Sequence, residues 1–163
     1  MQKNLSVPTM GSSLIKAALL FILDGLFFQQ GVITFIAAII CIPRFFYAVF
    51  KKDRESMKRE GVFILAVILV FSFIILNNYI AKYRTEKLIT VCNEYKDKQG
   101  HYPERLEDLV PEYYPRVPSA KFGIWGQYLY SSYEGKHSIM YVAFPPFGRP
   151  RFKLEENQWG FLD

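Results

Sequence analysis

The sequence predicts an α+β protein. N-terminal transmembrane helices come first, and the last of them continues into a long amphipathic helix packed on a small antiparallel β-sheet. Three observations carry this. Residues 61–76 hold no charge, and Ser72 is their only polar side chain. Beyond residue 80 an apolar stripe continues at helical spacing with no breaker until Gly100. Two runs rich in aromatic and β-branched residues then flank Glu134-Gly135-Lys136, as a hairpin requires.

The charge distribution separates the two halves. The chain has 163 residues, a net charge of +5 and a mean hydropathy of +0.08. Residues 81–163 carry twelve Lys/Arg and eleven Asp/Glu, whereas residues 1–80 carry eight and four. The excess positive charge therefore belongs to the apolar half. There it acts as a topology signal, not as a nucleic-acid-binding patch, and no nucleic acid is expected as a partner. Cys41 and Cys92 fall in different halves, so no disulfide is expected.

Residues 61–80 form a transmembrane helix, since twenty residues rise about 30 Å, the thickness of a hydrocarbon core. Upstream, residues 1–60 make an N-terminal membrane region with a basic cytoplasmic loop. Residues 14–42 are apolar apart from Lys16, Asp24, Gln29, Gln30 and Thr34. A straight helix over them would be about 43 Å long, so Gln29-Gln30-Gly31 reads as a weak point. Two arrangements fit: one tilted helix over 20–42, or a short helix over 13–28 followed by another over 31–50. Either gives at least one span. The run is too long for a signal peptide, and Ile42-Pro43-Arg44 offers no small-residue cleavage site. Asp24 is the one carboxylate at membrane depth, which makes it a candidate polar site, paired with Lys16 or a neighbouring helix. The plainer reading, which outweighs it, is that Asp24 marks an interface or a helix end near the headgroups.

Between residues 43 and 60 lie Arg44, Lys51, Lys52, Arg54, Lys58 and Arg59, while the first thirteen residues have only Lys3. The positive-inside rule puts this loop in the cytoplasm and residues 81–163 on the far side. In that soluble part, Ile80, Arg84, Leu88, Val91 and Tyr95 form one helical stripe, and Glu94 can pair with Lys98. Gly100 supplies the left-handed stop. Pro103 suits the first turn of a short helix whose apolar side is Leu106, Leu109 and Val110, and Pro111 ends it. Strands are expected over 127–133, 138–144, 151–154 and 158–161, with residues 144–150 as a stiff Pro-rich connector.

The helix ending in Gly100-His101-Tyr102-Pro103, followed by Leu106, Leu109-Val110-Pro111 and Tyr113, resembles the type IV pilin and type II secretion pseudopilin family over about residues 61–144. The resemblance implies a helix that rises from the membrane and packs on a sheet, with Gly100, Tyr102, Pro103, Leu106, Leu109 and Pro111 as structural motif positions. Lys58-Arg59-Glu60-Gly61 resembles the family's leader junction. Ala66 stands where the family has Glu at the fifth position of the helix, and a further membrane region precedes the junction.

No catalytic constellation is legible. His101 and His137 read as turn or surface residues, and Glu104, Glu107, Asp108 and Glu112 suit a helix start. Glu155, Glu156 and Asp163 are too few for a calcium cage, so neither metal nor other cofactor is expected. Nor is a small-molecule substrate. The partners expected are the lipid bilayer and membrane or periplasmic proteins. The reading is thus a non-enzymatic inner-membrane scaffold with a periplasmic domain, accessory to a secretion or pilus system. The alternatives are a membrane-tethered binding or sensing module and an immunity-type membrane protein.

Overall fold

The structure, a computed structural model, describes residues 10–144 and 148–162. Lys3, Asp163 and residues 145–147 of the Pro-rich connector lie outside the described residues. The chain forms two compact units, Met1–Ile74 and Ile75–Asp163.

In the first unit, helix α1 (Met10–Leu20) passes directly into a π-helical segment (Phe21–Phe28). A break at residues 29–31 follows, then helix α2 (Val32–Phe50) and the start of helix α3 (Arg54–Gln99). The broken arrangement is the one adopted, and the interruption falls at Gln29-Gln30-Gly31. A side chain at Gly31 would meet Phe71 of α3 at 3.0 Å, and its φ of +73° is left-handed, so only glycine suits the turn. Among the described residues, three helices are long and apolar enough to cross a membrane: Met10–Phe28, Val32–Phe50 and Arg54–Gln99. Small residues let them approach closely. Ala17 and Leu20 cluster with Ala66 and Val67, and Ala37 and Ala38 pack against this group. The outer faces stay apolar, with Ile15, Phe35, Ile39, Leu65 and Leu69 exposed.

The basic stretch over 43–60, expected as a loop, is mostly helix. Pro43 and Arg44 lie inside α2, α3 begins at Arg54, and only residues 51–53 connect them. Backbone capping shortens the connection. The Lys51 N–H closes the last turn of α2 on the Tyr47 carbonyl (3.0 Å), and Asp53 accepts the Ser56 N–H (3.2 Å) at the start of α3.

The second unit is built on the later part of α3 and a four-stranded antiparallel sheet in the order β1-β2-β3-β4. Its strands are β1 (Leu129–Tyr133), β2 (Lys136–Met140), β3 (Arg149–Lys153) and β4 (Gln158–Leu162). The buried face of α3 is Asn77, Ala81, Thr85, Leu88, Ile89 and Cys92. This differs from the expected stripe at its N-terminal end, where Ile80 and Arg84 are only half-buried. Ala81 and Thr85 are small enough to let the domain close on the helix, and a pattern of large apolar residues overlooks them. Against this face pack Ile139, Phe152, Leu154, Tyr128, Leu106 and Leu109. Lys98 pairs with Glu112 (3.1 Å) and not with Glu94. Both partners are exposed, so the exchange changes little.

Helix α3 ends at Gly100, whose φ is +84° and whose N–H donates to the Lys96 carbonyl (2.7 Å). The expected short helix shrinks to a 3₁₀ turn, Leu106–Leu109, and Pro103 lies outside it. Arg105 is extended, and the turn begins only where its N–H meets the Asp108 carboxylate (3.0 Å). The chain stays extended through Pro103 because Tyr102 and Pro103 are drawn into the core.

The strand limits also differ from expectation: β1 begins at Leu129, β2 begins at Lys136, β3 ends at Lys153 and β4 ends at Leu162. Strand β2 stops at Met140, and β3 begins at Arg149, so Arg149 and Pro150 leave the connector and join the sheet. Pro150 is tolerated in an inner strand because the β2 pairing starts one residue later, at Arg151. Its own carbonyl still accepts the Tyr141 N–H (3.3 Å). The missing donor therefore falls just past the end of β2.

Two glycines test this architecture. A Gly100→Ala side chain meets no atom within 4 Å, so only left-handed backbone strain opposes it. It should lower stability by about 1 kcal/mol in chemical denaturation. A side chain at Gly126 would collide with the Lys121 carbonyl oxygen. Gly126→Ala should therefore destabilise the domain more than Gly100→Ala does.

Candidate functional site

Asp24 is fully buried in the π-helical segment. Its carbonyl accepts the Gln29 N–H (2.8 Å), the wide hydrogen bond that ends the segment. One carboxyl oxygen accepts the Gly31 N–H (3.0 Å) and the other the Thr34 N–H (2.8 Å). The partners of Asp24 are thus the orphan backbone donors that open α2. Lys16, weighed as a partner, is exposed. The arrangement is a helix cap supplied from the preceding helix. It satisfies groups that an apolar environment would otherwise penalise.

The motif residues after α3 are structural. The Tyr102 hydroxyl lies 3.1 Å from the Asn93 side-chain oxygen and 3.2 Å from the Leu154 carbonyl, tying the turn to the sheet. The Pro103 carbonyl accepts the Tyr130 hydroxyl (2.6 Å). Leu106 and Leu109 are core residues, whereas Pro111 is exposed. Gly100 sets the chain reversal that makes these contacts reachable.

His137 is buried in β2 and is not a surface turn residue. Hydrogen bonds link four side chains in a row. Ser132 Oγ lies 3.0 Å from Glu104 and 3.1 Å from His137 Nε2, and His137 Nδ1 lies 2.7 Å from Glu155. The spacing resembles a nucleophile–base–acid relay. The Glu155 carboxylate accepts from Nδ1, and the one hydroxyl hydrogen of Ser132 can go either to Glu104 or to Nε2 of a neutral ring. The chain has a carboxylate at each end. Glu155 also accepts the His137 backbone N–H with both oxygens (3.0 and 2.9 Å). Desolvation pushes the Glu155 carboxyl up. The His137 N–H and ring outweigh it and hold the carboxyl below its usual range. No sequence pattern marks this chain, because Ser132 and His137 meet only as a cross-strand pair and Glu155 arrives from after β3.

The broad concave surface of the domain lies beside α3. It is an open cleft of about 1070 Å³. Arg84, Lys87, Arg105 and Arg116 line it, against Glu104 and Glu107. Tyr128 forms part of its wall, and burial pushes that hydroxyl up to about 12. The cleft thus combines an excess of positive charge with apolar and aromatic wall, features that suit contact with an acidic protein segment. Among the described residues, no group of three or more His, Cys, Asp or Glu side chains could hold a metal ion.

Asp24→Ala leaves the Gly31 and Thr34 N–H groups unpaired and should cost roughly 2–4 kcal/mol in detergent-solubilised protein, read as a lowered unfolding midpoint. For Glu155, a carboxyl held low in the folded chain stabilises fully above its ordinary value of 4.5. That stabilisation fades as pH falls through the folded value. The unfolding midpoint should therefore drop in this acid range, and Glu155→Gln should flatten that part of the pH profile.

No family model, curated protein or solved structure matches the chain.

Proposed function

We propose that the chain is a non-enzymatic, membrane-anchored scaffold whose pilin-like domain stands on the periplasmic side and acts by protein–protein contact in a secretion or pilus system. The observation that carries this reading is the open, basic cleft beside α3. Its wall includes Arg84 and Lys87 of α3, a helix that also carries a segment apolar enough to cross a membrane.

The anchor itself is supported by three apolar helices with exposed apolar faces. Faces of that kind and size are unfavourable in water and suit lipid. Three crossings leave the start of α1 and the basic 51–53 connection on one side and the α+β domain on the other. Arg44, Lys51, Lys52, Arg54, Lys58 and Arg59 cluster around that connection, which favours its cytoplasmic placement. The pilin-like assignment draws on the Gly100-to-Pro111 motif together with a helix packed on an antiparallel sheet.

A photo-crosslinking residue in place of Val117, an exposed position in the cleft, tests the reading in intact cells. The expected result is a discrete adduct with a periplasmic or membrane protein. Adducts confined to cytoplasmic proteins would overturn the topology. The absence of any adduct, with the protein present in the membrane fraction, would overturn the contact role.

A further inference from the structure

The segment joining the 3₁₀ turn to β1 is held against the start of the second unit by an unusual pair of contacts. The Asn77 amide donates to the Phe122 carbonyl (3.0 Å) and accepts the Phe122 N–H (2.9 Å). A side chain here imitates a strand neighbour and fixes one residue of the loop on one residue of α3. Lys121 secures the same place from the other side. Its buried ammonium donates to the Ala143 carbonyl (3.1 Å) and lies 3.4 Å from the Asn78 side-chain oxygen. The loop closes on itself through the Ala120 N–H to the Gly126 carbonyl (2.7 Å).

This loop is fastened and yet presents large apolar side chains outward. Phe122 is 52% and Ile124 55% exposed. Ile75 and Tyr79, one turn apart on α3, are 69% and 70% exposed, and Tyr83 continues the same face. A loop free to choose would turn such side chains inward. The location of the patch explains why it does not. Asn77 is the first polar residue after the uncharged run 61–76, so the loop is fixed where the apolar part of α3 ends. The next turns of α3 carry Lys82, Arg84 and Lys87, with Arg84 over the Phe122 ring (5.1 Å) and Lys87 over the Tyr83 ring (4.7 Å). Apolar residue, aromatic ring and cation thus follow one another along the helix. That is the order of acyl chain, interface and phosphate in a bilayer leaflet.

We propose that residues 121–126, together with Ile75, Tyr79 and Tyr83, form a lipid-interface anchor. Phe122 and Ile124 enter the headgroup–acyl boundary of the bilayer that α3 crosses, and Lys82 faces its phosphates, while Arg84 and Lys87 stay over the Phe122 and Tyr83 rings at the edge of the cleft. The occupant of the exposed apolar patch is therefore lipid. The inference rests on the membrane-anchored reading above and adds to it a second attachment, made by the domain itself.

Single-tryptophan versions of the full chain in phosphatidylcholine–phosphatidylglycerol proteoliposomes test it. Trp125 and Trp159 are changed to Phe. The reporter is then Phe122→Trp, Ile124→Trp or, as a control within the apolar helix, Leu69→Trp. Lipids brominated near the carbonyl end of the acyl chain serve as shallow quenchers, and lipids brominated further down as deep ones. The expected result is blue-shifted emission from both loop reporters, quenched mainly by the shallow lipid. Leu69→Trp should be quenched as well. Two unquenched loop reporters beside a quenched Leu69→Trp would overturn the interface anchor and leave the membrane reading intact. An unquenched Leu69→Trp as well would overturn both.

Discussion

Every part of this protein depends on how one helix disposes of its side chains. Helix α3 runs from Arg54 to Gln99, and along it the rule for what must be covered changes. Over residues 61–76 no side chain is charged and the exposed face is apolar at Leu65, Ile68, Leu69, Ile75 and Leu76, so the surroundings must themselves be apolar. From Asn77 onward a single face is buried, and it is made of small or polar residues as much as of large ones. Asn77, Ala81 and Thr85 each allow something to come close: the Phe122 backbone, the packed core and the Tyr128 hydroxyl. The sheet and the turn after Gly100 take their positions from that narrow face.

The same economy governs the buried polar groups. Asp24 meets two backbone N–H groups at the start of α2, and Asn77 meets one N–H and one carbonyl of the loop. Each side chain does at a chain reversal what a neighbouring strand or turn of helix does elsewhere. Glu155 does likewise for His137 in β2. These residues stand out in sequence as polar groups in apolar company, and in the structure their task is to complete the backbone.

Much of the fold was legible because it rests on periodicity and punctuation. The uncharged run, the stop at Gly100, the weak point at Gln29-Gln30-Gly31 and the β1–β2 hairpin are all local signals. The misjudged features depend on partners distant in sequence. Pro150 reads as connector until the end of β2 is known to lie beside its nitrogen. Pro103 reads as the first residue of a helix until Tyr130 is known to claim its carbonyl. His137 reads as a turn residue because Glu134-Gly135-Lys136 reads as the turn, whereas β2 begins at Lys136 and carries the histidine inward. The 43–60 stretch reads as a loop because it is charged, although charge alone does not end a helix whose ends are capped. The cleft is the least legible feature, since its lining comes from α3, the 3₁₀ turn and the approach to β1.

The bond between Tyr102 and the Leu154 carbonyl spans 52 residues of chain. Synthesis delivers α3 long before it delivers Leu154. In the interval the buried face of the helix is complete, but the strands that cover it do not yet exist. Contacts of such long range close late and slowly. During synthesis the nascent domain therefore passes through a stage with an uncovered amphipathic helix, the kind of surface that aggregates when left alone. The cue that ends this stage is the arrival of β3, which lets Phe152 and Leu154 reach the core.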